Sequence, residues 1–326
     1  MPHVVVGGPL HPSGRALLDA AQGMTVTYLD VTSEASVAEV IAEADAVLLR
    51  TQTITEPTVA KGEKVRIYSR HGVGYDAVDV EALNRRGIAL AICGDVNSIT
   101  VAEHAAMMIL AASKRLLRAD ASVRTGPWEW RNKLQARDLN GQRLLMVGYG
   151  RIGRHTARLM AAFGMEIRAH DPYLRQTGWP EGDVAPVRTL DEGLGWADVV
   201  SFSLPHTGKP LIGAAEFAMM RDGVVVINTA RGGIIDETAL VDALDRGKVG
   251  AAGLDVFGTE PVPDNHPLKR FDQVVMTPHI GGLTRDAAER MAISSAENIL
   301  NFFDGTIDHT LIVNRDKIDV PLQADA

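Results

Sequence analysis

The chain has 326 residues, 46% of them hydrophobic and 23% charged, which is enough for two domains of ordinary size. This composition excludes a disordered chain and a collagen-like chain, and the formal net charge of -8 argues against a nucleic-acid partner. The one cysteine, Cys93, excludes an internal disulfide and a cysteine-cluster metal site, so we expect a protein of the reducing cytoplasm.

Membrane and secretion signals are not expected. The longest uninterrupted apolar run, residues 105–112, is far shorter than the roughly 20 residues that a membrane span needs. The N-terminal residues form no basic segment with a cleavage site behind it. The histidine and carboxylate residues show no convincing metal-ligand spacing, so we expect neither a membrane nor a metal partner.

Short β-branched runs alternate with Ala/Leu/Glu-rich segments along almost the whole chain, a pattern that predicts parallel sheets with helical crossovers. Eleven such runs are too many for one comfortable open sheet, so we predict an α/β fold of two units. The predicted strands are 3–6, 26–29, 46–49, 65–68, 88–91, 144–147, 166–169, 199–202, 224–228, 250–253 and 274–277. The predicted helices include 36–44, 78–85, 151–163, 238–246 and 285–303.

Two long predicted helices mark the crossings between domains. One covers residues 98–117, with Thr100 as its N-cap, and the other begins after Thr284. On this interpretation residues 1–97 and 285–326 form one domain, and residues 98–284 form the other. Residues 119–139 are polar and aromatic without a clear period, which is typical of an exposed arm.

The sharpest local motif is G-Y-G-R-I-G at residues 148–153, placed between an apolar strand and a helix. Gly148 suits a tight turn, Gly150 a close approach to a pyrophosphate, and Gly153 close packing of the helix on the strand. The next predicted strand runs into Asp171, whose carboxylate would bind the adenosine ribose and repel a 2′-phosphate. The motif therefore predicts NAD rather than NADP, the alternative being a glycine turn in an ordinary βα unit.

Three segments of the C-terminal half place polar residues just after predicted strands. The first carries Arg231, the second Asp255 and Glu260, and the third His279. Because the carboxyl ends of parallel strands meet at one edge of a sheet, we expect these side chains to lie close together. The oxidation of a hydroxy acid needs a cation that binds the carboxylate, a group that carries the proton, and an acid that stabilises the protonated form of that group. An arginine, a histidine and a glutamate suit these three roles. The alternatives are that Arg231 forms a structural ion pair and that Glu260 is a solvated loop acid.

With these motifs in order, the sequence resembles the D-isomer-specific 2-hydroxyacid dehydrogenase family. The matching segments are G-Y-G-R-I-G followed by Asp171, then N-T-A-R-G-G, G-L-D-V-F-x-x-E-P and T-P-H-I-G-G. The resemblance implies two Rossmann-like or flavodoxin-like parallel-sheet domains. In it the substrate domain is split by insertion of the NAD-binding domain, and two NAD-binding domains form a homodimer.

The resemblance also implies roles for single residues. Arg231 would bind the substrate, His279 would transfer the proton, and Glu260 would partner the histidine. Asp255 would lie near the nicotinamide amide and Thr207 near the ribose. The predicted cofactor-binding set is Gly148, Gly150, Arg151, Ile152, Gly153, Asp171, His206, Thr207, Thr229, Ala230, Arg231, Asp255, His279 and Gly281.

We expect the residues that select the substrate to lie in the N-terminal domain, where two segments resemble those of phosphoglycerate dehydrogenases. R-T-Q-T at residues 50–53 resembles their R-S-x-T segment, and R-H-G-V-G-Y-D at residues 70–76 resembles their substrate loop. Backbone amides of the loop would hold the C1 carboxylate, while Arg50 and Arg70 would meet a distal phosphate. The predicted substrate-binding set is Arg50, His71, Gly72, Val73, Gly74 and Arg231.

These expectations describe an NAD-dependent dehydrogenase of a small D-2-hydroxy acid, with 3-phosphoglycerate first among the substrates. The C-terminal regulatory domain of longer phosphoglycerate dehydrogenases does not follow in this sequence. Reduction of glyoxylate or hydroxypyruvate is the alternative within the family. An NAD-sensing module of the corepressor type is the alternative from another class, and the set of Arg231, Glu260 and His279 argues against it.

Overall fold

The computed structural model describes residues 1–182 and 184–318, which form two units with one parallel sheet each. Unit 1 comprises Met1–Asn97 and the chain from Thr284 onward, and unit 2 comprises Ser98–Leu283. The part of the predicted substrate domain at 319–326 lies outside the described residues. Within the described residues, no helix is both long and apolar enough to cross a membrane.

The sheet of unit 1 has five strands in the order β2-β1-β3-β4-β5, and that of unit 2 has seven in the order β12-β11-β10-β9-β6-β7-β8. The strands are β1 (His3–Val6), β2 (Thr25–Tyr28), β3 (Ala46–Leu49), β4 (Ile67–Arg70), β5 (Ala89–Ile92), β6 (Arg143–Val147), β7 (Glu166–His170), β8 (Ala185–Pro186), β9 (Val199–Phe202), β10 (Val224–Asn228), β11 (Val249–Leu254) and β12 (Val274–Met276). The predicted fold class, two parallel-sheet α/β domains, is confirmed.

The helices other than α12 lie between strands along the chain, as the crossovers of parallel pairing require, and α12 follows the last strand. They are α1 (Pro12–Ala20), α2 (Glu34–Val40), α3 (Glu56–Lys61), α4 (Val80–Arg85), α5 (Ser98–Ser113), α6 (Leu116–Arg124), α7 (Arg151–Ala161), α8 (Pro172–Thr177), α9 (Leu190–Trp196), α10 (Ala214–Met219), α11 (Glu237–Asp245) and α12 (Arg285–Asp304). Short 3₁₀ turns occur at Ile41–Glu43, Trp128–Lys133, Pro267–Arg270, His309–Leu311 and Arg315–Lys317.

Both sheets are covered on two faces, which explains their continuous apolar strands. In β6, Leu145 and Val147 pack into the core on one face of the unit 2 sheet, and Leu144 and Met146 pack into the core on the other. In β1, Val4 and Val6 likewise face one core of unit 1 while Val5 faces the other.

The predicted helix over residues 98–117 is wrong in two respects. The helix α5 ends at Ser113, and Arg115 takes a left-handed conformation (φ 54°) that separates α5 from α6. Thr100 lies buried inside α5 and is therefore not its N-cap. By contrast, the predicted cap of the last long helix is present, because the Thr284 side chain accepts a hydrogen bond from the N–H of Ala287 at 3.1 Å.

Candidate active site

The strand order of unit 2 reverses between β6 and β9, and the G-x-G-x-x-G segment follows β6 at this point. Ligands of open α/β sheets bind beyond the carboxyl ends of the strands at such a reversal. A Cβ on Gly148 (φ 90°) would lie 2.1 Å from the carbonyl oxygen of Ser203, and one on Gly153 would lie 2.4 Å from that of Gly148. These two glycines are therefore required by the fold itself.

Gly150 differs from its two neighbours in the motif. Its φ is −69°, which any residue adopts, and an added Cβ would meet no heavy atom within 4 Å. The fold leaves room for a side chain at this position, directly before the N-terminus of α7. A glycine here suits a diphosphate that approaches the backbone and the helix N-terminus, so the segment fits NAD.

Asp171 follows β7 and connects the G-Y-G-R-I-G loop to that strand. One carboxylate oxygen accepts a hydrogen bond from the N–H of Tyr149 at 2.9 Å, and the other accepts one from the N–H of Leu174 at 3.0 Å, which caps α8. From sequence we expected only a ribose contact. Because each carboxylate oxygen accepts more than one hydrogen bond, Asp171 retains capacity for a ribose hydroxyl.

The turn after β10 presents Arg231. The buried Asn228 shapes this turn, because its side-chain amide donates to the carbonyl of Arg231 at 2.9 Å and its amide oxygen accepts from the N–H of Ala230 at 3.1 Å. A Cβ on Gly232 would lie 1.8 Å from the carbonyl oxygen of Phe257. The turn with Arg231 therefore packs backbone against backbone on the loop that leads to Glu260.

His279 and Glu260 form a close pair, as the sequence predicted. The Nδ1 atom of His279 lies 2.7 Å from Oε2 of Glu260, and Oε1 of Glu260 accepts a hydrogen bond from the N–H of Phe257 at 2.9 Å. With the carboxylate as acceptor, Nδ1 carries the proton and Nε2 remains for proton exchange with another molecule. Both side chains are partly exposed, 53% for His279 and 35% for Glu260, which suits contact with a ligand.

The backbone of His279 is in the left-handed region (φ 53°), a conformation that costs a non-glycine residue roughly 1–3 kcal/mol. Its N–H donates to the carbonyl of Asp255 at 2.8 Å. Such a conformation persists where neighbouring hydrogen bonds fix it, and the side chain of Asp255 supplies them.

Asp255 is 1% exposed and holds the loop around His279. Its carboxylate accepts hydrogen bonds from the N–H groups of Ile280 at 2.9 Å and Gly281 at 2.7 Å, and from the hydroxyl of Thr277. The Nε2 atom of His104 lies 3.0 Å from the Thr277 hydroxyl and 3.4 Å from the carboxylate. Burial alone would raise the pKa of Asp255, but these hydrogen bonds outweigh burial and hold the pKa below its ordinary value.

From sequence we placed Asp255 near the nicotinamide amide. In the structure Asp255, together with His104, supports the loop that carries His279. A Cβ on Gly281 would lie only 2.8 Å from the Asp255 carboxylate, so this predicted cofactor residue is also a packing requirement. No spacing in the sequence signals the His104 contact, because Thr277 lies 173 residues away.

Two further predicted cofactor residues lie in the loop after β9. The Nε2 atom of His206 lies 3.4 Å from the Cβ position of Gly233, so its ring is beside the turn that presents Arg231. Thr207 is exposed, and its hydroxyl donates to the carbonyl of Lys209 at 2.6 Å. Four more members of the predicted set lie at the starts of α7 and of the Arg231 turn, namely Arg151, Ile152, Thr229 and Ala230.

In unit 1 the predicted substrate loop follows β4. The N–H of Gly72 donates to the carbonyl of Arg70 at 2.9 Å and to the Cys93 sulfur at 3.3 Å, so the fold itself uses this amide. Of the loop residues whose amides were predicted to hold the C1 carboxylate, Val73 and Gly74 lie in partly exposed positions.

Comparison with known proteins agrees with this site. Residues 106–281 match the family model described as D-isomer specific 2-hydroxyacid dehydrogenase, NAD binding domain. The chain belongs to the D-isomer specific 2-hydroxyacid dehydrogenase family, and unit 2 contains its NAD-binding domain. The family that the sequence motifs predicted is confirmed.

Similar proteins include two curated relatives and one crystal structure. The chain is 38% identical over 302 residues to the D-3-phosphoglycerate dehydrogenase of Mycobacterium bovis, covering 92% of this chain but 56% of that protein. It is 36% identical over 305 residues to the hydroxypyruvate reductase of Thermotoga maritima, covering 91% of this chain and 96% of that protein. The TT0316 protein from Thermus thermophilus superposes with a TM-score of 0.85 at 32% identity, covering 94% of this chain and 98% of that one. The chain spans little more than half the length of the Mycobacterium bovis D-3-phosphoglycerate dehydrogenase, of which the match covers 56%.

Proposed function

We propose that this protein is an NAD-dependent oxidoreductase that interconverts a small D-2-hydroxy acid and its 2-keto acid. The observation that carries the proposal is the 2.7 Å contact between His279 and Glu260, on a loop packed against the Arg231 turn. An NAD-sensing module would need Asp171 and the fingerprint glycines but no partly exposed histidine–carboxylate pair.

The three side chains divide the chemistry between them. The Arg231 guanidinium binds the substrate carboxylate and polarises the carbonyl oxygen at C2. In the oxidative direction, Nε2 of His279 takes the hydroxyl proton while Glu260 stabilises the imidazolium that forms. NAD would be held at the backbone of Gly150 and at Asp171, and when bound it would supply the hydride acceptor for the oxidation at C2. In the reductive direction, the His279 imidazolium returns the proton to the carbonyl oxygen.

The cofactor is proposed to be NAD in preference to NADP. Asp171 lies at the end of β7, where a carboxylate binds the ribose hydroxyls and repels a 2′-phosphate. We assign the diphosphate to the backbone at Gly150 and the N-terminus of α7. Thr207 keeps its proposed place near the ribose, while Asp255 and Gly281 hold the loop that carries His279.

For the substrate, we propose 3-phosphoglycerate first and hydroxypyruvate or glyoxylate second. The first rests on the phosphoglycerate dehydrogenase relatives and on Arg50 in unit 1. The second is favoured by the hydroxypyruvate reductase of Thermotoga maritima, because that relative matches along 96% of its own length. Unit 1 would supply the substrate contacts at Arg50 and in the loop of residues 72–74.

We propose a homodimer in the cytoplasm. Unit 2 exposes large apolar side chains on α5, on α6 and in residues 125–139 after them, a composition typical of an interface. These side chains are Ile99, Met107, Leu116, Leu117, Val123, Trp128 and Leu134. A cytoplasmic location is supported by the single cysteine, Cys93, which is buried.

The test combines a substrate panel with a His279 variant. Purified protein is assayed with NADH and with 2-keto acids that carry or lack a distal phosphate, and kcat/KM identifies the substrate class. His279→Ala is expected to lower kcat by about 10²- to 10⁴-fold while NADH binding, followed by fluorescence, is unchanged. Equal turnover in this variant, or no turnover of any 2-keto acid by the unmodified protein, would contradict the proposal.

A further inference from the structure

Unit 1 holds Arg50 at the point where its own strand order reverses, between β1 and β3. Gln52, 7% exposed, fixes the backbone there. Its amide oxygen accepts from the N–H of Arg50 at 2.9 Å, and its amide nitrogen donates to the carbonyl of Gly7 at 2.9 Å. A buried side chain thus joins the end of β3 to the end of β1, at the edge of the sheet where ligands of such folds bind.

The side chain of Arg50 contacts His71, which is 4% exposed. Nη1 of Arg50 lies 3.0 Å from Nε2 of His71. A guanidinium has only donors, so Nε2 of His71 accepts this hydrogen bond and the imidazole is neutral. Burial and the positive charge of Arg50 lower the pKa of His71 to about 3, which agrees with a neutral ring.

The charge of Arg50 has no acidic partner within the described parts of the chain. The pKa of its guanidinium is lowered by burial, without a carboxylate that opposes the effect. A partly buried arginine with a purely structural role is ordinarily paired with an acid, because an uncompensated charge is costly to desolvate. Here the side chain that contacts the guanidinium is a neutral imidazole, which leaves the charge for an anion from outside.

We infer that His71 is a positioning residue that holds the Arg50 guanidinium ready for an anionic group of the substrate. This inference deepens the proposed function and rests on it. His71 then acts through Arg50 and not as a substrate contact, in contrast to its place in the predicted substrate-binding set. The anionic group is either the C1 carboxylate, shared by all 2-keto acids, or a distal phosphate.

A double-mutant cycle tests this inference. His71→Gln and His71→Met introduce side chains of nearly equal size, but only glutamine offers an oxygen acceptor to Arg50. We expect His71→Met to raise KM by about 10- to 100-fold with little change in kcat, since a hydrogen bond to a charged group is lost. His71→Gln should retain most of the affinity.

The decisive comparison uses Arg50→Met as the background. If His71 acts through Arg50, His71→Met has no further effect on kcat/KM in that background. The same fold-loss with and without Arg50 would overturn the inference. Hydroxypyruvate and its 3-phosphate distinguish the two sources of the anion: an equal loss for both assigns Arg50 to the carboxylate, and a loss confined to the phosphorylated acid assigns it to the phosphate.

A measurement without turnover separates this inference from the proposed function. In nitrogen-15 NMR spectra of the unmodified protein, the His71 ring, assigned by its loss in His71→Gln, should stay neutral from pH 8 to pH 5 with Nε2 unprotonated. A ring that titrates with the exposed histidines would overturn the inference, even if His71→Met failed to fold. Absence of activity toward every 2-keto acid, with the NMR result as expected, would refute the function and leave the Arg50–His71 pair intact.

Discussion

The two units hold a histidine beside a charged partner in opposite ways. In unit 2, the partly exposed His279 pairs with the carboxylate of Glu260 at 2.7 Å, so Nδ1 donates to the carboxylate and Nε2 is left for another molecule. In unit 1, the buried His71 pairs with the guanidinium of Arg50 at 3.0 Å, so the second proton is excluded. The sign of the neighbouring charge therefore decides whether the ring nitrogen beside it donates or accepts a hydrogen bond.

Removing the charge from the unit 2 pair should have the largest effect. Glu260→Gln keeps the size of the side chain but removes the charge that stabilises the imidazolium, so we expect kcat to fall about 100-fold. Initial rates at saturating substrate measure this. Glu192→Gln, which removes an exposed charge on α9, is the matched control and should leave kcat unchanged. A Glu260→Gln enzyme with the kcat of the control would show that His279 works without its partner.

Two glycines of the G-Y-G-R-I-G motif should respond differently to substitution, because Gly150 leaves room for a ligand whereas Gly148 is required by the fold. Gly150→Ala should weaken NADH binding by at least about 10-fold without lowering the free energy of unfolding, because its Cβ points into open space. Gly148→Ala should lower the free energy of unfolding by about 2–4 kcal/mol, because its φ is 90° and the Cβ clashes with Ser203.

Fluorescence titration with NADH and urea unfolding measure the two effects of these alanine substitutions. If Gly150→Ala bound NADH as tightly as the unmodified protein, Gly150 would not be kept for the cofactor. If Gly150→Ala were destabilised as much as Gly148→Ala, Gly150 would be required by the fold instead.

The smallest expected effect is on the pH dependence of stability, and it tests the unit 1 pair. The pKa of His71 is about 3 in the folded chain and near 6.5 in the unfolded chain, so between these values the unfolded state binds the extra proton. Stability should therefore fall as the pH is lowered from 6.5 toward 3, with Arg50 and Arg70 as the facing charges. Between pH 7.5 and 5 this amounts to about 2 kcal/mol.

His71→Gln removes the titrating group and should flatten this part of the curve. Urea unfolding of both proteins at several pH values measures the difference. Identical slopes for His71→Gln and the unmodified protein would mean that His71 takes up its proton equally in the folded and the unfolded chain, which would contradict a neutral ring beside Arg50.

Much of the fold could be predicted from the sequence, because strands buried on two faces are continuous apolar runs. The predicted strands 3–6, 46–49, 199–202 and 224–228 coincide with β1, β3, β9 and β10. Short elements were missed: β8 has two residues, and helices such as α3 and α10 have six, too few to show a period. The break at Arg115 was missed because the apolar pattern of α5 gives no sign of a left-handed residue.

The candidate site could be predicted only where its residues belong to family motifs. The pairing of His279 with Glu260 followed from their places after β12 and β11 in a family-like order. The supporting contacts of Asp255, His104 and His71 could not be predicted, because each depends on a neighbour far away in the chain. A carboxylate that accepts hydrogen bonds from two backbone N–H groups and a hydroxyl, as Asp255 does, has the same sequence signal as one that faces a cofactor.

The contact between Gly232 and the carbonyl of Phe257 bears on how this protein could be redesigned. The turn with Arg231 and the loop with Glu260 share one backbone surface with no space for a methyl group, so enlarging either segment displaces both. Libraries aimed at new acids would therefore lose reactivity wherever they touch these segments. Diversity is better concentrated around Arg50 and the loop after β4, which belong to the other compact unit, with hydrophobic cores of its own.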